Sequence, residues 1–480
     1  MLCILCFVLG SAKNKVQRTK DKTLEQTYMR ALFGTDGIRG EAGKFPLDSP
    51  TAEIIGSSLA SYLAHDSGHS SSIVIGRDTR ESGEWLERAL IAGASAAGAN
   101  CFSAGVITTP GVAYLTRALG AGAGVVISAS HNPYHDNGIK IFAPSGQKIA
   151  DSVERLIEND IHDGRVHQTR ESEPHQTPAS ESAEDLQSRY LSFLSNEIGA
   201  QLNLKGLSVV VDCANGASYK LAPGLFKSLG ANVLAINASP DGRNINLNCG
   251  SLHIESLQAR VIAEHADLGI AFDGDADRSL FVDAEGTFVD GDAALWVLAN
   301  HLMKHDGLAG GVVVATVMSN IGLEIALRSL SVELVRTDVG DKYVLEELLR
   351  RKASLGGEQS GHIILPALSL AGDGMITALC LLRAMAEAQK PLSELTAGFQ
   401  RYPQVLLNVR VKEKVPFDKL PAVNEVVRDI EERLSNKGRL LLRYSGTEPL
   451  ARVMIEGENQ TVIENYASEI AEHIRQAIGE

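Results

Sequence analysis

The chain has 480 residues, too many for one hydrophobic core, which rarely grows past about 250 to 300 residues, so several domains are expected. Its 59 acidic against 45 basic residues leave a formal charge of −14, which excludes a general nucleic-acid binder and demands that any phosphate chemistry gather its Arg and Lys locally. The six cysteines show no framework spacing, which places the chain in a reducing, cytoplasmic setting.

Residues 1–28 read differently from the rest. An apolar run from Leu2 to Leu9 precedes Lys13, Lys15, Arg18, Lys20 and Lys22, the reverse of a secretory signal, and it is shorter than the roughly 20 residues a membrane span needs. Cys3 and Cys6 form a C-x-x-C with no second ligand pair. Met29 stands immediately before the first motif, so 1–28 is expected to be an extension upstream of the true start. No other segment could span a membrane, and no membrane or nucleic-acid partner is expected.

From Thr51 to His65 an amphipathic helix pattern leads into the buried strand Ser72-Ile-Val-Ile-Gly76, then Arg77-Asp-Thr-Arg80 and a helix over 84–97. This strand and helix alternation indicates an α/β unit. Leu207-Ser-Val-Val-Val-Asp-Cys before a helix over 219–229, and Gly311-Val-Val-Val-Ala-Thr before one over 322–330, predict two more such units. A polar stretch over 164–184 separates the first two. Gly269–Phe272 and Ser279–Asp283 predict a hairpin closing the second. After Pro391 the pattern changes to alternating strands, beginning Val405-Leu-Leu-Asn-Val-Arg-Val-Lys412, with a closing helix over 461–478. The expected domains are therefore 29–165, 184–290 and 291–400, all α/β, and a smaller α+β domain over 401–480.

Four segments carry chemistry. In Val125-Val-Ile-Ser-Ala-Ser-His-Asn-Pro-Tyr-His-Asp-Asn-Gly-Ile-Lys140 a strand ends in hydroxyls, a histidine and Asn-Pro, with a lysine within reach, which reads as a nucleophile on a turn; Ser128 competes with Ser130 for that part. Asp273-Gly-Asp-Ala-Asp-Arg278 places three carboxylates at alternate positions, where they can converge on one hard cation. Magnesium fits an all-oxygen set without His or Cys, and a calcium loop would need its Glu one place earlier than Glu285. Gly356-Gly-Glu-Gln-Ser-Gly-His362 is a glycine-rich bend bearing polar groups, and Arg443-Tyr-Ser-Gly-Thr-Glu-Pro449 with Arg452 combines hydroxyls with guanidinium forks. A hydroxyl nucleophile beside a magnesium site points to phosphoryl transfer.

These segments, with Phe33-Gly-Thr-Asp-Gly-Ile-Arg-Gly40, resemble the signature loops of the α-D-phosphohexomutase family from about Met29 to the C terminus. The resemblance implies three α/β domains of one topology and a smaller fourth around a central cleft. It implies Ser130 carried as phosphoserine with His131 beside it, and Mg2+ on Ser130, Asp273, Asp275 and Asp277. It implies Lys140 as general acid or base, Arg39 and Arg278 at the reacting phosphate, Glu358 and Ser360 on sugar hydroxyls, and His362 near the phosphate. Arg443, Ser445, Gly446, Thr447 and Arg452 would cradle the phosphate that is not reacting. The implied substrate is a phosphosugar, with glucosamine 6-phosphate and glucosamine 1-phosphate as the favoured pair. A mannose or glucose phosphate mutase of the same fold, a magnesium phosphohydrolase with an aspartate nucleophile, and a non-catalytic sugar-phosphate binder are the alternatives. One departure is Lys342, where relatives carry Arg; lysine lacks the bidentate fork.

Overall fold

The computed structural model describes residues 31–34, 36–65, 70–168, 181–445 and 448–480. The expected extension over 1–28 lies outside them, as do Gly446 and Thr447. Four sheets follow one another along the chain. The first joins β1 (Phe33–Gly34), β2 (Gly37–Glu41), β3 (Ser72–Arg77), β4 (Asn100–Val106), β5 (Ala123–Ile127) and β6 (Asp136–Phe142) in the order β1-β2-β6-β5-β3-β4. The second joins β7 (Ser208–Asp212), β8 (Asn232–Ile236), β9 (Leu268–Phe272), β10 (Ser279–Asp283) and β11 (Phe288–Val289) as β11-β10-β9-β7-β8. The third is β13-β12-β14-β15, from β12 (Val312–Thr316), β13 (Glu333–Thr337), β14 (Gly356–Gly357) and β15 (Ile363–Ile364).

The three sheets repeat one plan. A central strand, β3, β7 or β12, has a parallel partner on each side, and one of those partners turns back as the antiparallel hairpin β5–β6, β9–β10 or β14–β15. The central strands are unbroken Val and Ile runs because helices cover both faces of a parallel sheet. The serine segment lies in the β5–β6 turn, the aspartate segment in the β9–β10 turn and the Glu358 segment in the β14–β15 turn. Equivalent turns at the carboxyl ends of equivalent parallel strands thus carry three different chemistries.

The C-terminal part differs, as its alternating pattern implied. β16 (Gln404–Arg410), β17 (Gly438–Tyr444) and β18 (Leu450–Gly457) form an antiparallel sheet in the order β16-β18-β17. The helix Pro421–Leu434 buries Val423, Val426, Ile430 and Leu434, one stripe at helical spacing, and Gln460–Ile478 lies beside it. The Arg443 segment is again in a hairpin turn, between β17 and β18.

Apolar packing sets the C-terminal sheet apart from the three α/β units, which also close further clusters around Ile75 and Val125, Val210 and Val282, and Val314 and Ile364. One continuous core runs through the three α/β sheets, from Val74 and Val126 through Phe226 and Phe272 to Trp296 and Leu379, whereas the C-terminal sheet closes a core of its own around Val409, Ile430, Val453 and Ile474. The two bodies meet through polar groups. Glu456 of β18 is fully buried and accepts hydrogen bonds from the Ile321 amide at 3.0 Å, Asn320 Nδ2 at 3.3 Å and Arg439 Nε at 2.9 Å. Arg439 in turn donates to the Val317 carbonyl at 2.8 Å. A buried charge is tolerable there because it is fully paired.

One element starts later than its pattern suggests. The helix expected from Tyr219 begins at Leu221, because the preceding turn is committed to the metal loop: the Ala217 amide donates to the Gly274 carbonyl at 2.8 Å. Gly216 approaches so closely that a Cβ would lie 2.3 Å from that oxygen.

Candidate active site

Ser130 follows β5 in a left-handed backbone conformation, φ +50°, rare for a residue with a side chain and costly unless its surroundings impose it. They do. Arg80 is buried and donates from its guanidinium to the carbonyls of Ser130 and Asn132 at 2.9 Å each, to Asp136 at 2.9 Å and to Pro133. Asn246 Nδ2 reaches the same Ser130 and Asn132 carbonyls from the loop after β8, in the second unit, at 2.9 and 3.1 Å. Ser128 is locked, donating to Asp78 at 2.7 Å and accepting the Ser130 amide at 2.9 Å. The geometry therefore separates the two serines: Ser128 holds the turn, and Ser130 faces the aspartates with Oγ 2.5 Å from Asp273 Oδ2 and 3.2 Å from His131 Nδ1.

Asp273, Asp275 and Asp277 are all buried, and their ligand oxygens lie within 4.8 Å of one another. Asp275 Oδ2 accepts from Thr109 Oγ1 at 2.6 Å and from Lys140 Nζ at 2.9 Å, and Thr109 also donates its amide to the Asp275 carbonyl. The N-terminus of the Thr109–Ala118 helix therefore fixes the middle aspartate. Asp275 Oδ1 and Asp277 Oδ1 are buried without a hydrogen-bond partner, a costly state that a cation ligated by oxygen would relieve. Burial and the two neighbouring carboxylates push Asp273 well above the usual range, whereas Asp277, also raised by burial, is held well below it by Lys140, His362 and Arg278. Asp273, Asp275 and Asp277 fit a divalent hard metal in donor type and in their two unsatisfied oxygens.

Cations surround these carboxylates. Lys140 is buried on β6, 2.9 Å from Asp275, 3.1 Å from Asp36 and 3.6 Å from Asp277; burial works against its charge, but the three carboxylates hold it protonated well above the ordinary lysine range. Arg39 pairs with Asp36, and Arg278 Nε lies 3.8 Å from Asp277. Burial, Arg278 and Arg39 together lower His131 to about 4, so its ring is neutral. His362 Nδ1 lies 3.6 Å from Asp277; burial disfavours its charge, yet Asp277, Asp341 and Glu358 raise it to about 9. Glu358 is fixed by the Gly340 amide at 3.1 Å, and Ser360 Oγ donates to it at 3.3 Å.

The first and third units also meet across the cleft. Lys148 bridges Asp36 at 3.1 Å and Asp341 at 2.8 Å. Lys342 turns away from the aspartate loop and pairs with Asp151 at 2.9 Å. A point charge suffices for that exposed bridge, where no planar fork is needed. Arg80, Asn246, Asp36, Lys148 and Asp341 were absent from the residues predicted. Asp36 and Arg80 stood in motifs already in view, while Asn246 and Lys148 carried no local signal.

The fourth segment stands apart. Arg443 on β17 faces Arg452 on β18 across the hairpin, Ser445 is buried with Arg452 at 3.4 Å from its Oγ, and Lys414 donates to the Ser445 carbonyl at 2.7 Å. Gly446 and Thr447 lie outside the described residues. The cleft carrying Lys140, Asp277 and His362 is walled by the three α/β units, and none of Arg443, Ser445 or Arg452 lines it.

Comparison with known proteins covers nearly the whole chain. The family models for phosphoglucomutase/phosphomannomutase match in order: α/β/α domain I over residues 30–167, domain II over 188–286, domain III over 290–402 and the C-terminal domain over 406–473. The phosphoglucosamine mutase of Solibacter usitatus is 51% identical over 94% of this chain and 99% of its own, and that of Myxococcus xanthus is 46% identical over 95% and 99%. Among solved structures, a phosphoglucomutase/phosphomannomutase family protein from Burkholderia thailandensis shares the fold with a TM-score of 0.76 at 24% identity, covering 93% of this chain and 97% of that one.

Proposed function

Since the chain belongs to the phosphoglucomutase/phosphomannomutase family of α-D-phosphohexomutases, we propose that it interconverts glucosamine 6-phosphate and glucosamine 1-phosphate through a phosphoserine at Ser130 and a bisphosphorylated sugar. It is an isomerase by phosphoryl transfer, and its relatives' 43–51% identity over nearly their full length favours the amino sugar over mannose or glucose phosphate. The observation that carries the reading is Ser130 Oγ at 2.5 Å from Asp273, beside two buried carboxylate oxygens that lack partners.

In this reading Asp273, Asp275 and Asp277 hold Mg2+ together with an oxygen on Ser130. Bound there, such an ion would offset negative charge on the transferring phosphoryl group. Ser130 gives its phosphoryl group to a free sugar hydroxyl, whose proton passes to the departing Ser130 oxygen; in the second half the Ser130 hydroxyl takes the phosphoryl group from the other end of the bisphosphate, and its proton passes to the sugar oxygen that leaves. Lys140, already protonated among three carboxylates, serves as the acid. Arg39, Arg278 and His362 face the reacting phosphate, and neutral His131 keeps the Ser130 oxygen oriented. Glu358 and Ser360 hold sugar hydroxyls that present alike in the two substrate orientations, while Arg443, Ser445, Gly446, Thr447 and Arg452 grip the distal phosphate. The separate core of the C-terminal domain supports a closing movement that brings this grip over the cleft. The limits 29–165, 184–290, 291–400 and 401–480 mark the four bodies in this scheme.

A hydrolase with an aspartate nucleophile fits less well, because the loop carboxylates are engaged by Ser130, Lys140 and His362. Peptide mapping of the purified enzyme tests the proposal. It should find one phosphate on Ser130, with Ser130→Ala folded and inactive. Phosphate on Ser128, or an active Ser130→Ala, would reject it.

A further inference from the structure

We propose that the third α/β unit carries a second, non-catalytic metal site, built from His301, His305 and Glu387, that takes a divalent ion of the zinc class. His301 sits in the last turn of the Gly291–Lys304 helix and His305 caps it, so a spacing of four residues puts both imidazoles on one face. Glu387 comes from the last turn of the Gly374–Ala388 helix packed alongside. His305 Nε2 is 3.1 Å and His301 Nε2 3.8 Å from the same Glu387 oxygen, and the ligand atoms of all three residues lie within 4.8 Å of one another. An ion bonded at about 2.0–2.1 Å in a tetrahedron holds its ligands about 3.4 Å apart, so small side-chain adjustments would seat it.

Donor chemistry separates this site from the aspartate loop. Two imidazoles and one carboxylate suit zinc, whereas magnesium and calcium prefer oxygen throughout. All three ligands line a groove of ≈ 360 Å³ that also contains Trp296, whose buried Nε1 has no acceptor among the described residues. The open coordination position would therefore be filled from a groove that still has a polar donor to satisfy. One turn before Glu387, Arg383 donates to the Ile198 carbonyl of the preceding unit. An ion joining the two helices would thus tie together two helices of the third unit beside its junction with the second.

The full-length enzyme, kept in excess Mg2+ so that the aspartate loop is occupied, should be titrated with Co2+ by visible absorption and with Zn2+ by calorimetry and thermal melting. The expected result is one ion per chain beyond magnesium, the absorption of nitrogen-ligated tetrahedral Co2+, and a raised Tm. His301→Ala, His305→Ala and Glu387→Gln should each lose the absorption and the Tm rise while turning over substrate as the parent does. A parent chain that shows neither the absorption nor Zn2+ binding, or variants that bind both ions as the parent does, would overturn the site.

Discussion

Arg80 and Asn246 both donate to the carbonyls of Ser130 and Asn132 and so determine where the Ser130 oxygen stands. Arg80 is fully buried and saturated, with five acceptors on Asp78 and the serine turn, so removing it leaves the Asp78 charge without its cation and with only Ser128 and a backbone amide as donors. Arg80→Met should cost roughly 3–5 kcal/mol, the usual penalty for breaking a buried pair, measured by urea unfolding. A cost under about 1 kcal/mol would show that the turn does not depend on it. Asp292 offers a pH test away from the catalytic loops. Burial and the neighbouring Asp290 raise its carboxyl from 3.8 to about 7, and one of its oxygens is buried without a partner. The folded state therefore binds more protons than the unfolded chain between those values, so this group costs stability increasingly as pH rises from about 4 to 7. Asp292→Asn should be more stable than the parent at pH 8 by on the order of 1–3 kcal/mol, with the difference fading toward pH 4. An Asn variant less stable at pH 8 would contradict this.

At the scale of elements, the β17–β18 hairpin sets Arg443 directly opposite Arg452, a like-charged pair that Glu448, 3.5 Å from Arg452, offsets in part and that a bound anion would relieve further. Losing Arg443 should raise KM and release more bisphosphate into solution, at about 1.5–3 kcal/mol for a charge-assisted contact. If Arg443→Ala slows only chemistry, with affinity and leakage unchanged, the hairpin is not the phosphate grip. The central strands β3, β7 and β12 were readable because helices on both faces force Val and Ile runs, and the loops because hydroxyl, carboxylate and glycine residues cluster in recognisable motifs. The clamp on the loops was not readable. Arg80, Asn246 and Lys148 reach their partners across 50, 116 and 193 residues, and no local pattern reports a contact at such separation. The helix Asp151–Asp163 was also missed, because its charged composition conceals a stripe of only Val153, Ile157 and Ile161.

For the whole molecule, three repeated α/β units present the Ser130, aspartate and Glu358 loops on equivalent turns, and a smaller body with its own core carries the Arg443 loop. This division explains how a bisphosphate could be held while it turns: the catalytic groups stay rigid on a shared core, and the joint to the C-terminal sheet is polar rather than apolar. The three aspartates proposed to hold Mg2+ belong to the α/β body, so chelation should abolish turnover with little change in the unfolding of the C-terminal sheet; full activity in EDTA would exclude the metal role. The most direct measurement is a single turnover of enzyme carrying labelled phosphate on Ser130, mixed with unlabelled glucosamine 6-phosphate. Label should pass to the sugar, first in the bisphosphate and then in free glucosamine monophosphates, with little inorganic phosphate. Label released chiefly as inorganic phosphate, or retained on the protein while the sugar isomerises, would contradict transfer through Ser130.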